Sequence, residues 1–95
     1  MNKYELMIIV DAQKPQPEKE EIYKQTADVI AKAGGKVISA QVWLDKHRMA
    51  FNIKKKNEGT YYLVNFESQT SFLTKIKELL RLNEQILRSI IIKNI

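Results

Sequence analysis

Ninety-five residues, 44% hydrophobic and 28% charged, suffice for one small domain with a single core; they exclude a two-domain enzyme and a disordered tract. Sixteen Lys and Arg against eleven Asp and Glu give a formal charge of +5, unevenly placed: residues 1–45 carry −1 and residues 46–95 carry +6. An anionic partner is therefore expected on surfaces built by the second half.

Residues 3–12 alternate, with Tyr4, Leu6, Ile8 and Val10 on one side, while Met7 and Ile9 make the other side apolar too. A strand apolar on both faces is predicted to be central in its sheet. Asp11 to Pro17 is a polar connection. Residues 17–33 read as a helix. Pro17 suits its first turn, Glu18, Glu20 and Glu21 suit the positive end of its dipole, and Ile22, Thr26, Val29, Ile30 and Ala33 recur at steps of three and four. Gly34-Gly35 supplies a positive-φ stop. Residues 36–54 read as a long strand whose apolar positions change parity: Ile38, Ala40, Val42 and Leu44 are even, Met49, Phe51 and Ile53 odd. Side chains alternate faces along a strand, so an extra residue is required, and a bulge is predicted within Asp45–Arg48. Lys55-Lys56-Asn57-Glu58-Gly59 is expected to form a hairpin turn. The strand after it, Thr60–Glu67, carries Tyr62, Val64 and Phe66 on one face and Tyr61 and Leu63 on the other. Residues 70–82 are predicted to be a helix, capped by Thr70 or Ser71, with an apolar stripe of Phe72, Leu73, Ile76, Leu79 and Leu80. Residues 85–93 read as a last strand, with Ile86, Ile90 and Ile92 alternating against Leu87 and Ile91.

The resulting order, β-α-β-β-α-β, has one common solution. Right-handed crossovers place both helices on one face of a four-stranded antiparallel sheet. The expected fold class is therefore α+β, with a single domain over residues 1–95. The other face of the sheet is left bare and apolar, a surface suited to docking.

No cysteine is present, which removes disulfides, thiolate metal sites and thiol nucleophiles. The opening residues lack the long uncharged apolar run of a signal peptide, and no stretch approaches the ~18 apolar residues of a transmembrane helix. A cytoplasmic protein is expected, without a membrane. The one histidine, His47, sits among cations in Asp45-Lys46-His47-Arg48, which disfavours its protonation and argues against a catalytic base. No catalytic residue, metal ligand, cofactor or small-molecule substrate is expected. Residues 11–17 also lack the Arg and the glycine cradle that an acylphosphatase-like enzyme on this fold would want.

The basic residues carry more information. Lys46, Arg48, Lys54, Lys55 and Lys56 fall within eleven residues, and Arg81, Arg88 and Lys93 come from the second helix end and the last strand. With Trp43, Tyr61 and Tyr62 nearby they point to RNA phosphates. An RNA-recognition motif shares this element order, and Tyr61, Val64 and Phe66 fit part of its strand-three signature. The basic first position, the following Gly and the small fourth position are missing. A free-standing single-strand RNA-binding module is therefore the alternative reading.

The chain as a whole resembles the bacterial small-subunit ribosomal protein six family. Tyr4-Glu5-Leu6-Met7-Ile8-Ile9 is similar to its opening strand. Lys46-His47-Arg48-Met49-Ala50-Phe51-Asn52-Ile53-Lys54-Lys55 looks like its central motif. Gly59-Thr60-Tyr61-Tyr62 followed by Phe66 looks like its third strand. The resemblance spans residues 3–93. It implies a ferredoxin-like sheet and a structural ribosomal protein, not an enzyme. It also implies binding to the central domain of 16S ribosomal RNA, on the platform, together with ribosomal protein eighteen. Lys3, Lys46, His47, Arg48, Arg81 and Arg88 match the family's basic positions and are expected near RNA, with Lys54, Lys55 and Lys56 beside them. Val42, Trp43, Leu44, Met49, Phe51 and Tyr61 are expected to form the protein-partner surface, since an edge strand and a bare apolar face can both be completed by another chain. Two departures stand out. The family usually has Trp-Gly before its basic run, whereas Trp43 is followed by Leu44-Asp45 and the stretch is one residue longer. The chain stops at Ile95, so the polar tail of many members, and any function of it, is not expected.

Overall fold

A computed structural model describes the backbone of residues 2–53 and 56–93, and the side chains of residues 2–45 and 58–93. Five principal elements follow the expected order up to the second helix: β1 (Asn2–Asp11), α1 (Gln16–Lys32), β2 (Lys36–Ile53), β3 (Lys56–Ser68) and α2 (Leu73–Arg81), the last entered through a 3₁₀ turn at Thr70–Phe72; β4 (Ile86–Lys93) closes the sheet. The strand order is β2-β3-β1-β4, with every neighbouring pair antiparallel. This is the ferredoxin-like α+β arrangement, with β1 central as its two apolar faces predict.

Both helices cover one face. Leu6, Ile8 and Val10 of β1 and Val64 and Phe66 of β3 are almost wholly buried there, against Ile22 and Ile30 of α1 and Ile76 and Leu80 of α2. Pro17 lies in the first turn of α1, where its missing N–H removes no helical bond. At the other end Gly34 adopts φ +92°, the left-handed conformation that ends the helix and turns the chain into β2. The expected stripe on α1 is complete, and the structure extends it to Lys19 and Tyr23.

The structure corrects the sequence reading at four places. Thr70 and Ser71 give α2 no side-chain cap. Thr70 Oγ1 instead lies 2.9 Å from the Tyr4 hydroxyl and accepts a 2.9 Å bond from Asn2 Nδ2, fastening the start of β1 to the approach of α2. Residues 56–59, expected in a hairpin turn, are strand, and Gly59 pairs with both Asp11 and His47; residues 54–55 lie outside the described residues. In β4 a register shift opposite Ile9 and Val10 changes the parity. Ile86 and Ile91 face the helices, while Ile90 and Ile92 join the bare face. In β2 the predicted bulge is found between Leu44 and His47, but the strand also shifts register at Val37/Ser39, Val42/Leu44 and Arg48/Ile53. Ala40 and Val42 therefore face the helix side, opposite Val64 and Tyr62, and Leu44 faces the bare side opposite Tyr61. An edge strand tolerates such irregularity because only one of its sides is hydrogen-bonded.

Candidate nucleic-acid interface

The sheet has two ends, and the register decides which charges gather at each. The C-terminal end of β1 lies beside the N-terminal ends of β3 and β4 and the C-terminal end of β2. Cations converge here. Arg81 ends α2, Arg88 follows the irregularity in β4, and the two line one groove of about 380 Å³ with Lys77, Leu80, Ile86, Leu87 and Ser89. Lys77 stands one helical turn before Arg81 and so shares its face. Among the described residues none of these three cations makes an ion pair. Their counter-charge must come from outside the groove or from solvent, which is what an anion site requires.

Side-chain bonds fix the loop that joins α2 to β4. Asn83 Oδ1 accepts the backbone N–H of Gln85 at 3.0 Å, and Asn83 Nδ2 donates to Gln25 Oε1 of α1 at 2.9 Å. The backbone N–H of Ile86 donates to the Asn83 carbonyl at 3.1 Å. The spacing between Arg81 and Arg88 is therefore set by a tied loop.

At the same end of the sheet, on its other edge, runs the β2–β3 hairpin. His47 pairs with Gly59 and Arg48 with Glu58 through the backbone. The side chains of Lys46, His47, Arg48, Met49, Phe51 and Lys56, and the whole of Lys54 and Lys55, lie outside the described residues. Between the two basic edges the bare face carries a row in register, from Leu44 through Tyr61 and Ile9 to Arg88. Trp43 meets Tyr61 edge-on, with ring centroids 6.1 Å apart at 72°. Trp43 is 53% exposed, so this aromatic pair is open to a partner.

The structure does not gather every expected residue. Lys3 is six residues back along β1 from Ile9, roughly 20 Å at strand spacing, and stands opposite Glu67, itself opposite Lys36. It is thus apart from Arg81 and Arg88. Of the expected partner surface, Trp43, Leu44 and Tyr61 lie together on the bare face, whereas Val42 is on the helix side. The aromatics that would serve a stacking platform are mostly spent on the core. Tyr4 stacks on Phe66 with centroids 5.7 Å apart, both buried. Tyr62 stacks on Tyr23 of α1 at 3.8 Å and 4°.

Sequence reasoning missed Lys19 and Tyr23, and also Lys77 and Ser89. Lys19 is only 4% exposed, and its Nζ lies 3.5 Å from Asp45 Oδ1, which also accepts the Thr60 hydroxyl at 2.9 Å. The signal was available: Lys19 precedes Ile22 and Tyr23 by three and four residues and prolongs the buried stripe. Burial, followed by the charge of Asp45 and the neighbouring Tyr62 and Glu20, pushes the Tyr23 phenol from 10 up to about 12. Burial also raises that of Tyr62.

Comparison with known proteins decides the family. The sequence model of ribosomal protein S6 matches residues 3–93. The chain belongs to the ribosomal protein S6 family. It is 38% identical to the small ribosomal subunit protein bS6 of Micrococcus luteus over 93 residues, covering 98% of this chain and 91% of the relative. It is 36% identical to bS6 of Paenarthrobacter aurescens, with the same coverage. The crystal structure of the 30S ribosomal protein S6 of Thermotoga maritima superposes with a TM-score of 0.87 at 24% identity, covering 98% of this chain and 87% of that one. That likeness establishes the fold, as the sequence resemblance implied. S6-family membership makes this chain a structural, non-enzymatic protein of the small ribosomal subunit, and so of the cytoplasmic ribosome. None of the described helices is long and apolar enough to cross a membrane.

Proposed function

We propose that the chain binds the central domain of 16S ribosomal RNA together with ribosomal protein eighteen, as one domain over residues 1–95, during assembly of the platform. The observation that carries the RNA reading is the convergence of Lys77, Arg81 and Arg88, from a helix and a strand, on one groove without an ion pair among the described residues. Arginine is favoured where a planar fork can meet phosphate oxygens, and phosphate contacts fix the register of a protein on RNA without reading bases. The backbone of Lys46, His47, Arg48 and Lys56 belongs to the β2 and β3 strands at the same end of the sheet; with Lys54 and Lys55 these basic residues are the further RNA contacts of this reading, and Lys3 adds one from the opposite end.

The partner reading rests on the exposed Trp43 beside Tyr61 and on the irregular edge strand β2. Met49 and Phe51 continue that strand, and Val42 adds a contact from its other side. A formal charge of +5 is modest for RNA binding, so the partner supplies affinity the chain lacks alone. A gel-shift titration on central-domain RNA tests this. The expected result is weak binding alone and tighter binding with ribosomal protein eighteen; equal affinity with and without it would remove the partner from the account. A stacking module is disfavoured because Tyr4, Tyr62 and Phe66 face the core.

A further inference from the structure

The groove beside Arg81 and Arg88 lies along the outer edge of the sheet. In the order β2-β3-β1-β4 the last strand has a neighbour on one side only. Arg88 pairs with Ile9 and Ser89 with Ile8, so their side chains leave the strand on opposite faces. Both nevertheless line the groove, which therefore reaches around the strand edge. Ser89 is on the face that carries the helices, the side of Lys77 and Arg81. It is exposed, and its hydroxyl has no hydrogen-bond partner among the described residues.

The hydrogen-bonding inventory of the groove is one-sided. The side chains of Lys77, Arg81 and Arg88 can only donate, and those of Leu80, Ile86 and Leu87 do neither. Ser89 Oγ is the one side-chain acceptor among the lining residues, and it can donate as well. Thr74 and Glu78 stand around a separate hollow with Lys77 and Arg81. A phosphodiester offers only acceptors, so the three cations match it and leave the acceptor of Ser89 unused. A ribose 2′-hydroxyl both donates and accepts. It is borne on the carbon next to the one that carries the 3′-phosphate. A phosphate seated against the arginines thus has such a hydroxyl beside it in RNA and none in DNA, and Ser89 is the groove side chain able to receive its proton.

We propose that Ser89 reads the sugar: while Arg81 and Arg88 hold a phosphate, its hydroxyl bonds the neighbouring ribose 2′-hydroxyl, and the groove thereby selects ribonucleotides over deoxyribonucleotides. The inference rests on the RNA reading of this groove.

The test is binding to central-domain RNA in the presence of ribosomal protein eighteen, with 2′-deoxynucleotides substituted at random and the positions that weaken binding mapped. The parent should show interference where the groove meets the strand. In Ser89→Ala one such position should fall silent while the others persist. The affinity of this variant for unsubstituted RNA should drop about threefold to tenfold, as for one uncharged hydrogen bond, with the salt slope unchanged because no cation is lost. Ser89→Thr, which keeps the hydroxyl on a residue suited to a strand, should retain the interference. Arg81→Gln with Arg88→Gln is the control on the underlying reading. If the control binds weakly while Ser89→Ala shows the parent's interference pattern, the sugar reading is overturned and the phosphate site stands, whatever the affinity of Ser89→Ala. If the control binds like the parent, RNA does not use the groove and the inference falls with that reading.

Discussion

Tyr23 shows how much a single side chain in this protein can reveal. Its ring is buried and stacked on Tyr62, yet its hydroxyl has no hydrogen-bond partner among the described residues. Tyr23→Phe therefore removes no bond, and urea unfolding at pH 7 should place the variant within about 1 kcal/mol of the parent or above it. A loss beyond about 2 kcal/mol would mean that the hydroxyl is bonded. The raised phenol fixes the sign of the alkaline response. The unfolded chain ionises near 10 and the native state only near 12, so the contribution is fully present below pH 10 and is lost as pH rises toward 12. Unfolding midpoints stepped from pH 9 to 12 should fall more gently in Tyr23→Phe, with a remainder from Tyr62. Gly34 offers a second test at this scale. A Cβ there would meet Phe72 Cε2 at 2.7 Å, on a backbone already at φ +92°. Gly34→Ala should cost about 1–3 kcal/mol in the same urea measurement. The need for glycine at this stop was legible from Gly34-Gly35 after a periodic stripe. The buried Lys19 was not, because a lysine ordinarily marks the solvent side of a helix.

At the scale of elements, burial rather than propensity decides what each strand and helix contributes. Leu80 and Leu82 are both near the end of α2, but Leu80 is 2% exposed and Leu82 75%. Leu80→Ala should lose about 2–5 kcal/mol of stability, while Leu82→Ala should stay within about 0.5 kcal/mol. Equal effects in chemical denaturation would contradict the core described for this face. Element order, the central place of β1, both helices and the faces of β3 were legible because their apolar periods are unambiguous. The parity of β4 was not. Leu87, Ile90, Ile91 and Ile92 place apolar residues on both parities, so the sequence carries no alternation to read, and the shift opposite Ile9 and Val10 decides it. The parity change in β2 did announce a bulge, at Leu44–His47. The additional shifts were hidden because the exposed Ile38 and Trp43 look like core residues in sequence.

For the whole molecule, the charge asymmetry between the halves of the chain becomes an asymmetry between the ends of the sheet. Arg81 and Arg88 are seven positions apart in sequence and share a groove because α2 and β4 meet through a tied loop. Their clustering as basic residues was legible, whereas the concavity and the participation of Lys77 needed the packing of helix on strand. Lys3 comes from the first half of the chain, and the register places it at the end of the sheet opposite Arg81 and Arg88. RNA is thus expected to approach the end of the sheet shared by β4, the α2 terminus and the β2–β3 hairpin, on the side of Trp43 and Tyr61. The most direct measurement is the salt dependence of binding to central-domain RNA, in the presence of ribosomal protein eighteen, for the parent and for Arg81→Gln/Arg88→Gln. An RNA site at Arg81 and Arg88 requires weaker binding of the variant at every salt concentration and a log–log slope shallower by up to about two units. An unchanged affinity with an unchanged slope would contradict it.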